Sequence, residues 1–228
     1  MKSVVVITGG ANGLGRELVA MLSPKHHVIV LDIDGHSLSR VAKKFSAQPF
    51  VCDISNWLAV ESAIGEITQK YKKIDYLINC AGIYLQGQLT TNDPKKIKKV
   101  FEVNTLGTVN LCRFVAPIMK KQKSGTIINI ISQAALYPCE SRSVYHASKW
   151  AIDGFTKSLQ PELAPYGIKV IGIYPGLMDT KFLTHSGFKR NMDSAIHPEE
   201  VAHLIEFIFK LPPHLTIPEI GIKHLDHY

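Results

Sequence analysis

The sequence predicts an α/β fold built on a doubly wound parallel sheet of about seven strands. Short apolar runs alternate with longer helix-like stretches along the whole chain, and no repeat or linker interrupts them. Several runs, such as SVVVIT (3–8) and TIINII (126–131), are apolar throughout, which is typical of strands covered on both faces. With 228 residues, 46% of them hydrophobic, the chain can bury one large core, so we expect a single domain over 1–228.

The order of these elements indicates where a ligand should bind. The predicted strands are 3–8, 27–31, 48–52, 75–79, 126–131, 169–174 and a weaker 219–224. The predicted helices are 14–23, 36–45, 56–72, 94–121, 143–164 and 198–210. The last helix has a good start, since Pro198 suits the first helical position and Glu199 and Glu200 suit the first turn. Strict alternation implies right-handed crossovers, and ligands of such sheets bind beyond the carboxyl ends of the strands.

The charge does not indicate a nucleic-acid partner. The formal net charge is +7, and the basic residues cluster in KKIKK (95–99) and KKQK (120–123). Both clusters flank apolar residues at helical spacing, so we interpret them as solvated helix faces. No helix-turn-helix, zinc finger or aromatic RNA-binding motif accompanies them, and we predict no nucleic-acid binding.

The cysteines and the apolar runs exclude two further classes. The four cysteines, Cys52, Cys80, Cys112 and Cys139, are widely spaced and have no metal-ligand pattern, so we expect them to be reduced and mostly buried, with no metal site. No apolar run approaches the ~20 residues that span a bilayer. The N-terminus MKSVVVITGG lacks the apolar region and cleavage site of a signal peptide, so we predict a cytoplasmic protein without a membrane partner.

A glycine-rich turn follows the first predicted strand. In TGGANGLG (8–15), Gly9, Gly13 and Gly15 lie between a strand and a helix. Glycine allows positive φ and lets a phosphate approach bare backbone, and the helix that follows offers unpaired N–H groups to an anion. No Gly-Lys-Ser/Thr ends the loop, so it is not a nucleoside triphosphatase loop. The position therefore favours a dinucleotide pyrophosphate.

An acid follows each of the next two predicted strands. Asp32 stands where a carboxylate can bind adenosine ribose hydroxyls, and it would repel a 2′-phosphate, which favours NAD over NADP. The alternative is that Asp32 only caps the helix near 36, and Arg16 and Arg40 leave NADP open. Asp53 can accept a hydrogen bond from the adenine amino group or cap the helix near 56. Without the other motifs, the capping role is favoured.

Beyond the fifth predicted strand lie three residues with a possible chemical role. Ser132 follows the strand, and Tyr145 and Lys149 follow in the next helix. Residues four apart share a helix face, about 6 Å apart along the axis. A lysine cation there favours tyrosinate and lowers the tyrosine pKa, as a general acid for a carbonyl requires. A Tyr-x-x-x-Lys pair alone proves nothing in a chain with 8 tyrosines and 21 lysines, since about one such pair is expected by chance.

Taken together, these motifs are similar to those of the short-chain dehydrogenase/reductase family, in its compact, non-extended branch. The resemblance covers nearly the whole chain and rests on several motifs in order: TGGANGLG, Asp32, Asp53, NCAG (79–82), the Asn of FEVNTLG (101–107), Ser132, YHASK (145–149) and YPGLMDT (174–180). It implies a Rossmann-type fold. Two departures stand out, because Cys80 replaces a common Asn and Pro161 lies within the helix of Tyr145.

The resemblance also implies a role for each matching position. Tyr145 would exchange the proton with the substrate oxygen, Ser132 would position that oxygen, and Lys149 would bind the nicotinamide ribose and lower the pKa of Tyr145. Asn104 would hold a water in a proton relay, although without the resemblance it reads as a helix-interior Asn bonded to local backbone. The remaining implied cofactor contacts are Gly9, Asn12, Gly13, Leu14, Gly15, Asp32, Asp53, Ile54, Asn79, Ala81, Gly82, Pro175, Gly176, Met178 and Thr180.

The predicted function is hydride transfer between NAD(H) and a ketone or secondary alcohol. The alternatives are an NADP-dependent ketone reductase, for example of 3-oxoacyl groups, and a catalytically silent NAD-binding sensor. Residues 181–197 would form a short substrate lid, whose Lys181, His185, Lys189 and Arg190 are either solvated or face an anionic group. His146 is left out, because its position points it off the Tyr145–Lys149 face. The resemblance implies a homodimer or homotetramer. The predicted pocket-wall residues are Tyr84, Leu85, Gln133, Leu136, Tyr137 and Leu177.

Overall fold

The computed structural model describes residues 2–180, 182 and 192–227. Its seven strands form one parallel sheet in the order β3-β2-β1-β4-β5-β6-β7. The strands are β1 (Val4–Thr8), β2 (His27–Asp32), β3 (Gln48–Val51), β4 (Tyr76–Asn79), β5 (Gly125–Ile130), β6 (Ile168–Pro175) and β7 (Glu219–Ile222). The predicted doubly wound parallel sheet is confirmed.

Helices cover both faces of this sheet. They are α1 (Gly13–Leu22), α2 (Gly35–Phe45), α3 (Trp57–Tyr71), α4 (Pro94–Phe101), α5 (Thr108–Gln122), α6 (Ser143–Leu163) and α7 (Pro198–Ile208). One core lies between the sheet and α3, α5 and α6, and a second lies between the sheet and α1, α2 and α7. Alternate residues of β1 point into the two cores, Val4 and Val6 into the first and Val5 and Ile7 into the second. This double burial explains why the strand is apolar throughout.

The predicted helix 94–121 is the main correction to the element boundaries. A π-helical turn, Glu102–Gly107, separates α4 from α5. The hydrophobic pattern continues through this turn, so periodicity alone does not detect it. Such turns are rare and are frequently found at functional sites, and this one carries Asn104.

The C-terminal end of α6 and the start of α7 lie close to the boundaries predicted from the sequence. Pro161 lies in the last turn of α6, which ends at Leu163, so the part of the helix with Tyr145 and Lys149 is regular. Helix α7 begins at Pro198 with a capping box, in which Glu200 accepts from the backbone N–H of His197 at 2.7 Å. Among the helices that the structure describes, none has the length and hydropathy needed to cross a membrane.

The strand order reverses next to β1, which pairs with β2 on one side and β4 on the other. Chains leaving the carboxyl ends of β1 and β4 therefore turn to opposite faces and leave a crevice between them. The functional site is built at this crevice.

Candidate active site

A cavity of about 650 Å³ opens along the carboxyl ends of the strands, from the loop after β2 to the start of α6. Of the residues that the sequence singles out for catalysis or cofactor binding, all but Asn79 and Asn104 line it. Positions that lie more than 130 residues apart in the chain, such as Gly9 and Tyr145, thus share one wall. The volume is within the range of about 300–1,000 Å³ that is usual for small-molecule and cofactor sites.

The glycine loop has the conformation and the packing that require glycine. Gly9 has φ +66° and Gly13 has φ +52°. A Cβ on Gly9 would lie 2.8 Å from the Cα of Ala81, and a Cβ on Gly15 would collide with the carbonyl oxygen of Gly9. The Thr8 hydroxyl oxygen accepts from the N–H groups of Cys80 and Ala81, both at 3.1 Å. The loops after β1 and β4 are therefore held together at the cavity.

Asp32 is not a helix cap. One carboxylate oxygen accepts from the N–H of Ala11 at 2.9 Å, and the other accepts from the N–H of Asp34 at 3.0 Å. The cap of α2 is Asp34, which accepts from His36 and Ser37. Asp32 thus joins the end of β2 to the glycine loop and lines the cavity. The alternative that Asp32 only caps the helix near 36 is therefore wrong.

The two arginines that left NADP open point elsewhere. Arg16 pairs with Glu17 at 2.6 Å, and Arg40 donates to the Ser37 hydroxyl at 3.1 Å. Neither is among the described residues that line the cavity. No described arginine or lysine at the β2 end of the cavity therefore stands ready to neutralise a 2′-phosphate beside Asp32, since Lys99 is paired with Asp53.

Asp53 lines the cavity with both carboxylate oxygens engaged. One accepts from the N–H and the hydroxyl of Ser55, and the other pairs with Lys99 at 3.2 Å. Burial raises the pKa of this carboxyl, but the hydrogen bonds from Ser55 and Lys99 outweigh burial and lower it overall. The cap of α3 is Asn56, so the capping alternative for Asp53 is also decided.

Asn79 and Asn104 lie behind the cavity wall. The Asn79 amide donates to the Asn129 side chain at 2.8 Å, and only 4% of Asn79 is exposed. Asn104, 1% exposed, accepts from the N–H of Ile83 at 2.7 Å and donates to the Ile83 carbonyl at 2.9 Å and to the Ser148 hydroxyl at 3.0 Å. These bonds join the π-turn, the loop after β4 and α6, so Asn104 is neither solvated nor bonded only to local backbone. Its part in a proton relay stays a prediction.

Ser132, Tyr145 and Lys149 meet at the other end of the cavity. Ser132 follows β5 and accepts from the N–H of Ala134 at 3.1 Å, which fixes the loop. The ring of Tyr145 packs edge-on against Tyr84 with centroids 4.9 Å apart. Lys149 is 6% exposed, donates to the Ile130 carbonyl at 3.0 Å, and lies with its Nζ 6.0 Å from the Tyr145 ring centroid. The predicted set is therefore assembled on one wall.

The pKa of Tyr145 departs from the expectation. Burial raises it above the usual value, while hydrogen bonding with Ser132 and the charge of Arg142 act against the rise. The net direction is opposite to the lowering expected from Lys149, because burial of Tyr145 dominates and the Lys149 ammonium, itself buried, donates to the Ile130 carbonyl. Burial lowers the pKa of Lys149 to about 8. Tyr145 is therefore a protonated phenol at neutral pH, as a proton donor must be.

Several residues of the cavity wall were not found from the sequence, among them the polar residues His146 and Arg142. His146 lines the cavity although it follows Tyr145 directly, and its ring lies 6.2 Å from that of Tyr145. Arg142, which precedes α6, also lines it. Of the predicted wall residues, Tyr84, Gln133, Tyr137 and Leu177 line the cavity. Leu85 packs instead into a small core, and Leu136 is exposed and outside the lining.

Most of the predicted lid falls outside the described residues, including Lys181, His185, Lys189 and Arg190. Phe182 is described and lines the cavity near Tyr84 and Tyr145. In the described part of the chain, no group of three His, Cys, Asp or Glu could hold a metal ion. Cys52 and Cys112 are buried as expected, whereas Cys139 is exposed and Cys80 is half-buried and lines the cavity.

The fold and the glycine-lined cavity are those of a Rossmann-type nucleotide-binding protein. A model of the short chain dehydrogenase family matches residues 3–191. The chain belongs to this family, as its motifs predicted, and is an enzyme.

Relatives and solved structures agree with this assignment. An oxidoreductase of Staphylococcus saprophyticus is 29% identical over 229 residues, which cover 96% of each chain. The structure of 3-ketoacyl-(acyl-carrier-protein) reductase from Brucella melitensis, complexed with NADH, is 25% identical with TM-score 0.89 and covers 97% of this chain and 96% of that chain. The structure of ElxO with NADP bound is 27% identical with TM-score 0.87 and covers 97% of each chain.

Proposed function

We propose that the protein interconverts a ketone and a secondary alcohol with NAD(H), and that Tyr145 is its general acid and base. One observation carries the proposal: a single cavity wall contains the glycine loop and Asp32 at one end and Ser132, Tyr145 and Lys149 at the other. This arrangement supports a dinucleotide laid along the strand ends with its reactive ring near Tyr145.

Different parts of the cavity would bind different parts of the cofactor. Asp32 would hold the adenosine ribose, and the glycine loop would admit the pyrophosphate to bare backbone. Pro175, Gly176, Met178 and Thr180, which follow β6, would hold the nicotinamide amide. When bound, the cofactor supplies or accepts the hydride at the carbonyl carbon.

The protein, and not the cofactor, would supply or accept the proton of the reaction. In reduction, the Tyr145 phenol would donate its proton to the carbonyl oxygen, and Ser132 would donate a hydrogen bond that positions this oxygen. In oxidation, Tyr145 would first lose its proton, and the tyrosinate oxygen would then take the proton of the alcohol. The buried Lys149 would place a positive charge near the tyrosinate that forms, which limits the free energy needed to form it.

The test of catalysis is Tyr145→Phe, which removes the hydroxyl and keeps the ring. We expect turnover of a panel of ketones, followed by NADH absorbance, to fall by about 100-fold or more, while NADH binding changes little. Tyr166→Phe is a matched control, since Tyr166 is 44% exposed and outside the cavity lining. Near wild-type turnover by Tyr145→Phe would refute the assignment.

The preference for NAD is a separate part of the proposal. Asp32 is a carboxylate at the end of β2 with no described arginine or lysine beside it to accept a 2′-phosphate. We expect Asp32→Asn to weaken NAD binding by about 10- to 100-fold, since a charge-assisted hydrogen bond is worth about 1.5–3 kcal/mol, and to weaken NADP binding far less. Calorimetric titration of both cofactors checks this. Tighter binding of NADP than of NAD by the wild type would instead favour the NADP-dependent ketone reductase.

Two further expectations complete the proposal. We propose a homodimer or homotetramer, which sedimentation analysis at several concentrations checks. We also propose that the protein acts in the cytoplasm on a small-molecule substrate.

A further inference from the structure

The charges along the cavity are segregated. Its described acidic lining residues are Asp32, Asp34 and Asp53, all at or within two residues of the carboxyl ends of β2 and β3. The cations near the other end are Arg142, Lys149 and Lys223, and the only described lysine at the acidic end, Lys99, is paired with Asp53. Among the described lining residues, the catalytic end thus has three cationic side chains and no carboxylate. Cationic side chains along a low-dielectric wall favour an anionic ligand.

Arg142 lies within electrostatic reach of the reacting group. It immediately precedes α6, three residues before Tyr145, so the two positions lie on the same side of the first turn. Arg142 lines the same cavity as Tyr145 and His146, and its positive charge lowers the pKa of both side chains. A guanidinium presents a planar fork of donors that matches a carboxylate or a phosphate better than a lysine does.

His146 supplies an independent observation. It is only 8% exposed, it lines the cavity, and its Nδ1 has no hydrogen-bond partner among the described residues. Burial, together with the charge of Arg142, lowers the pKa of His146, so the ring is neutral at pH 7 and can donate one N–H. A buried polar atom without a partner is costly, and a bound ligand is one way to satisfy it.

The rest of this end is fixed by aromatic packing and by the C-terminal segment. Tyr84 packs against Tyr145, and the Lys223 Nζ donates to the His227 carbonyl at 3.2 Å and lies 5.3 Å from the Tyr137 ring centroid. Lys223 thus adds positive charge to the wall from a fixed position. The wall combines an apolar surface for a carbon chain with a positive edge.

We propose that the substrate carries an anionic group, a carboxylate or a phosphate, which Arg142 binds with His146 donating beside it while the carbonyl faces Tyr145. The inference rests on the proposed function, since it names the substrate class of the same site. Arg142 is then a specificity-determining residue: it binds the substrate away from the reacting atoms and takes no part in proton transfer. Its loss should raise KM far more than it lowers kcat.

The test compares substrates that differ only in the anion. One pair is 3-oxobutanoate and its methyl ester, and the other is dihydroxyacetone phosphate and dihydroxyacetone. We expect the charged member of at least one pair to have the higher kcat/KM by about 10- to 100-fold, and the pair that shows this distinguishes a carboxylate from a phosphate. We expect Arg142→Gln to remove most of this preference through KM, and Arg142→Lys to restore part of it.

Controls separate a local effect from misfolding. Arg113→Gln is the matched control, because Arg113 is exposed on α5 and outside the cavity lining, and it should keep the wild-type preference. His146→Leu removes the donor at similar size and should reduce the preference less than Arg142→Gln does. Circular dichroism and the unfolding midpoint of each variant show whether it folds.

A binding measurement keeps this inference apart from the proposed function. Malonate and inorganic phosphate are titrated into wild type and Arg142→Gln with NADH present, with NADH fluorescence as the readout. If an anion binds the wild type and Arg142→Gln weakens binding about tenfold or more, the anionic site stands even when no ketone is turned over, and only the proposed reaction fails. If ketones are turned over without charge preference and Arg142→Gln changes neither member of a pair, or if it weakens NADH binding alone, the inference is overturned and the proposed reaction stands.

Discussion

Replacing Lys149 by Met should stabilise the folded protein at neutral pH, although it removes a residue of the proposed active site. Lys149 is 6% exposed, and burial lowers its pKa from 10.5 to about 8. No acidic side chain pairs with it among the described contacts. A buried cation without an acidic partner opposes folding, and Met fills a similar volume without charge.

The magnitude follows from the two pKa values. The folded-state pKa lies below the unfolded one, so between pH 8 and pH 10.5 the unfolded chain binds more protons, and wild-type stability rises with pH in that window. A difference of 10.5 − 8 = 2.5 pKa units corresponds to about 3 kcal/mol of destabilisation at pH 7. At pH 9.5 about 1 kcal/mol of it remains. Losing the hydrogen bond to the Ile130 carbonyl costs about 1–2 kcal/mol at either pH.

Urea unfolding of wild type and Lys149→Met without cofactor, at pH 7 and pH 9.5, measures the effect. The variant should be more stable than wild type by about 1–2 kcal/mol at pH 7, and this advantage should fall by about 2 kcal/mol at pH 9.5. Lys121→Met, at an exposed position of α5, should show no such pH dependence. A stability difference between Lys149→Met and wild type that is the same at both pH values would refute the reasoning.

Three further outcomes are expected. Gly15→Ala should lower the unfolding midpoint and weaken NAD binding, because its Cβ would collide with the Gly9 carbonyl oxygen. Gly65→Ala in α3 should stabilise the protein by about 0.5–1 kcal/mol, because its Cβ would meet nothing within 4 Å. Equal changes in the unfolding midpoint of the two variants would contradict this. The kcat/KM for ketone reduction should fall about tenfold per pH unit above about 8, as Lys149 loses its proton, and a flat profile up to pH 9.5 would exclude a need for this cation. Asn104→Ala should destabilise by about 3 kcal/mol in urea unfolding, since three hydrogen bonds are lost, and a change under 1 kcal/mol would show that they contribute little.

The sequence predicts the sheet well because burial on both faces leaves a simple pattern. Each strand of the centre is a short apolar run, and each crossover carries a helix of ordinary period, so order and class follow from local physics. The π-turn at 102–107 is missed for the same reason. One extra residue per turn shifts the phase of the pattern without interrupting it, and the turn is stabilised by distant partners, Ile83 and Ser148, which no local rule identifies.

Residues of the site were predictable where they follow a strand. Asp32 and Ser132 follow from the rule that ligands lie beyond the carboxyl ends of strands, whereas Asp53 alone indicates a helix cap and needed the family resemblance. Helix-borne residues were harder to judge. His146 was set aside as facing away from Tyr145, yet the cavity reaches around the first turn of α6 and takes in both neighbours.

The four-residue spacing of Tyr145 and Lys149 does not determine how deeply either side chain is buried, and burial sets the direction of the Tyr145 pKa shift. Four residues along a helix bring Lys149 near Tyr145, but the sign of the shift depends on burial of both groups, and burial is a property of the whole fold. The same burial that keeps Tyr145 protonated brings Lys149 close to deprotonation near neutral pH. Neither group is the best choice for stability at a buried position, since an apolar side chain fills the same volume without burying a charged or polar atom. That the fold retains both, at the edge of a glycine-lined cavity, is what favours catalysis over structure as their role.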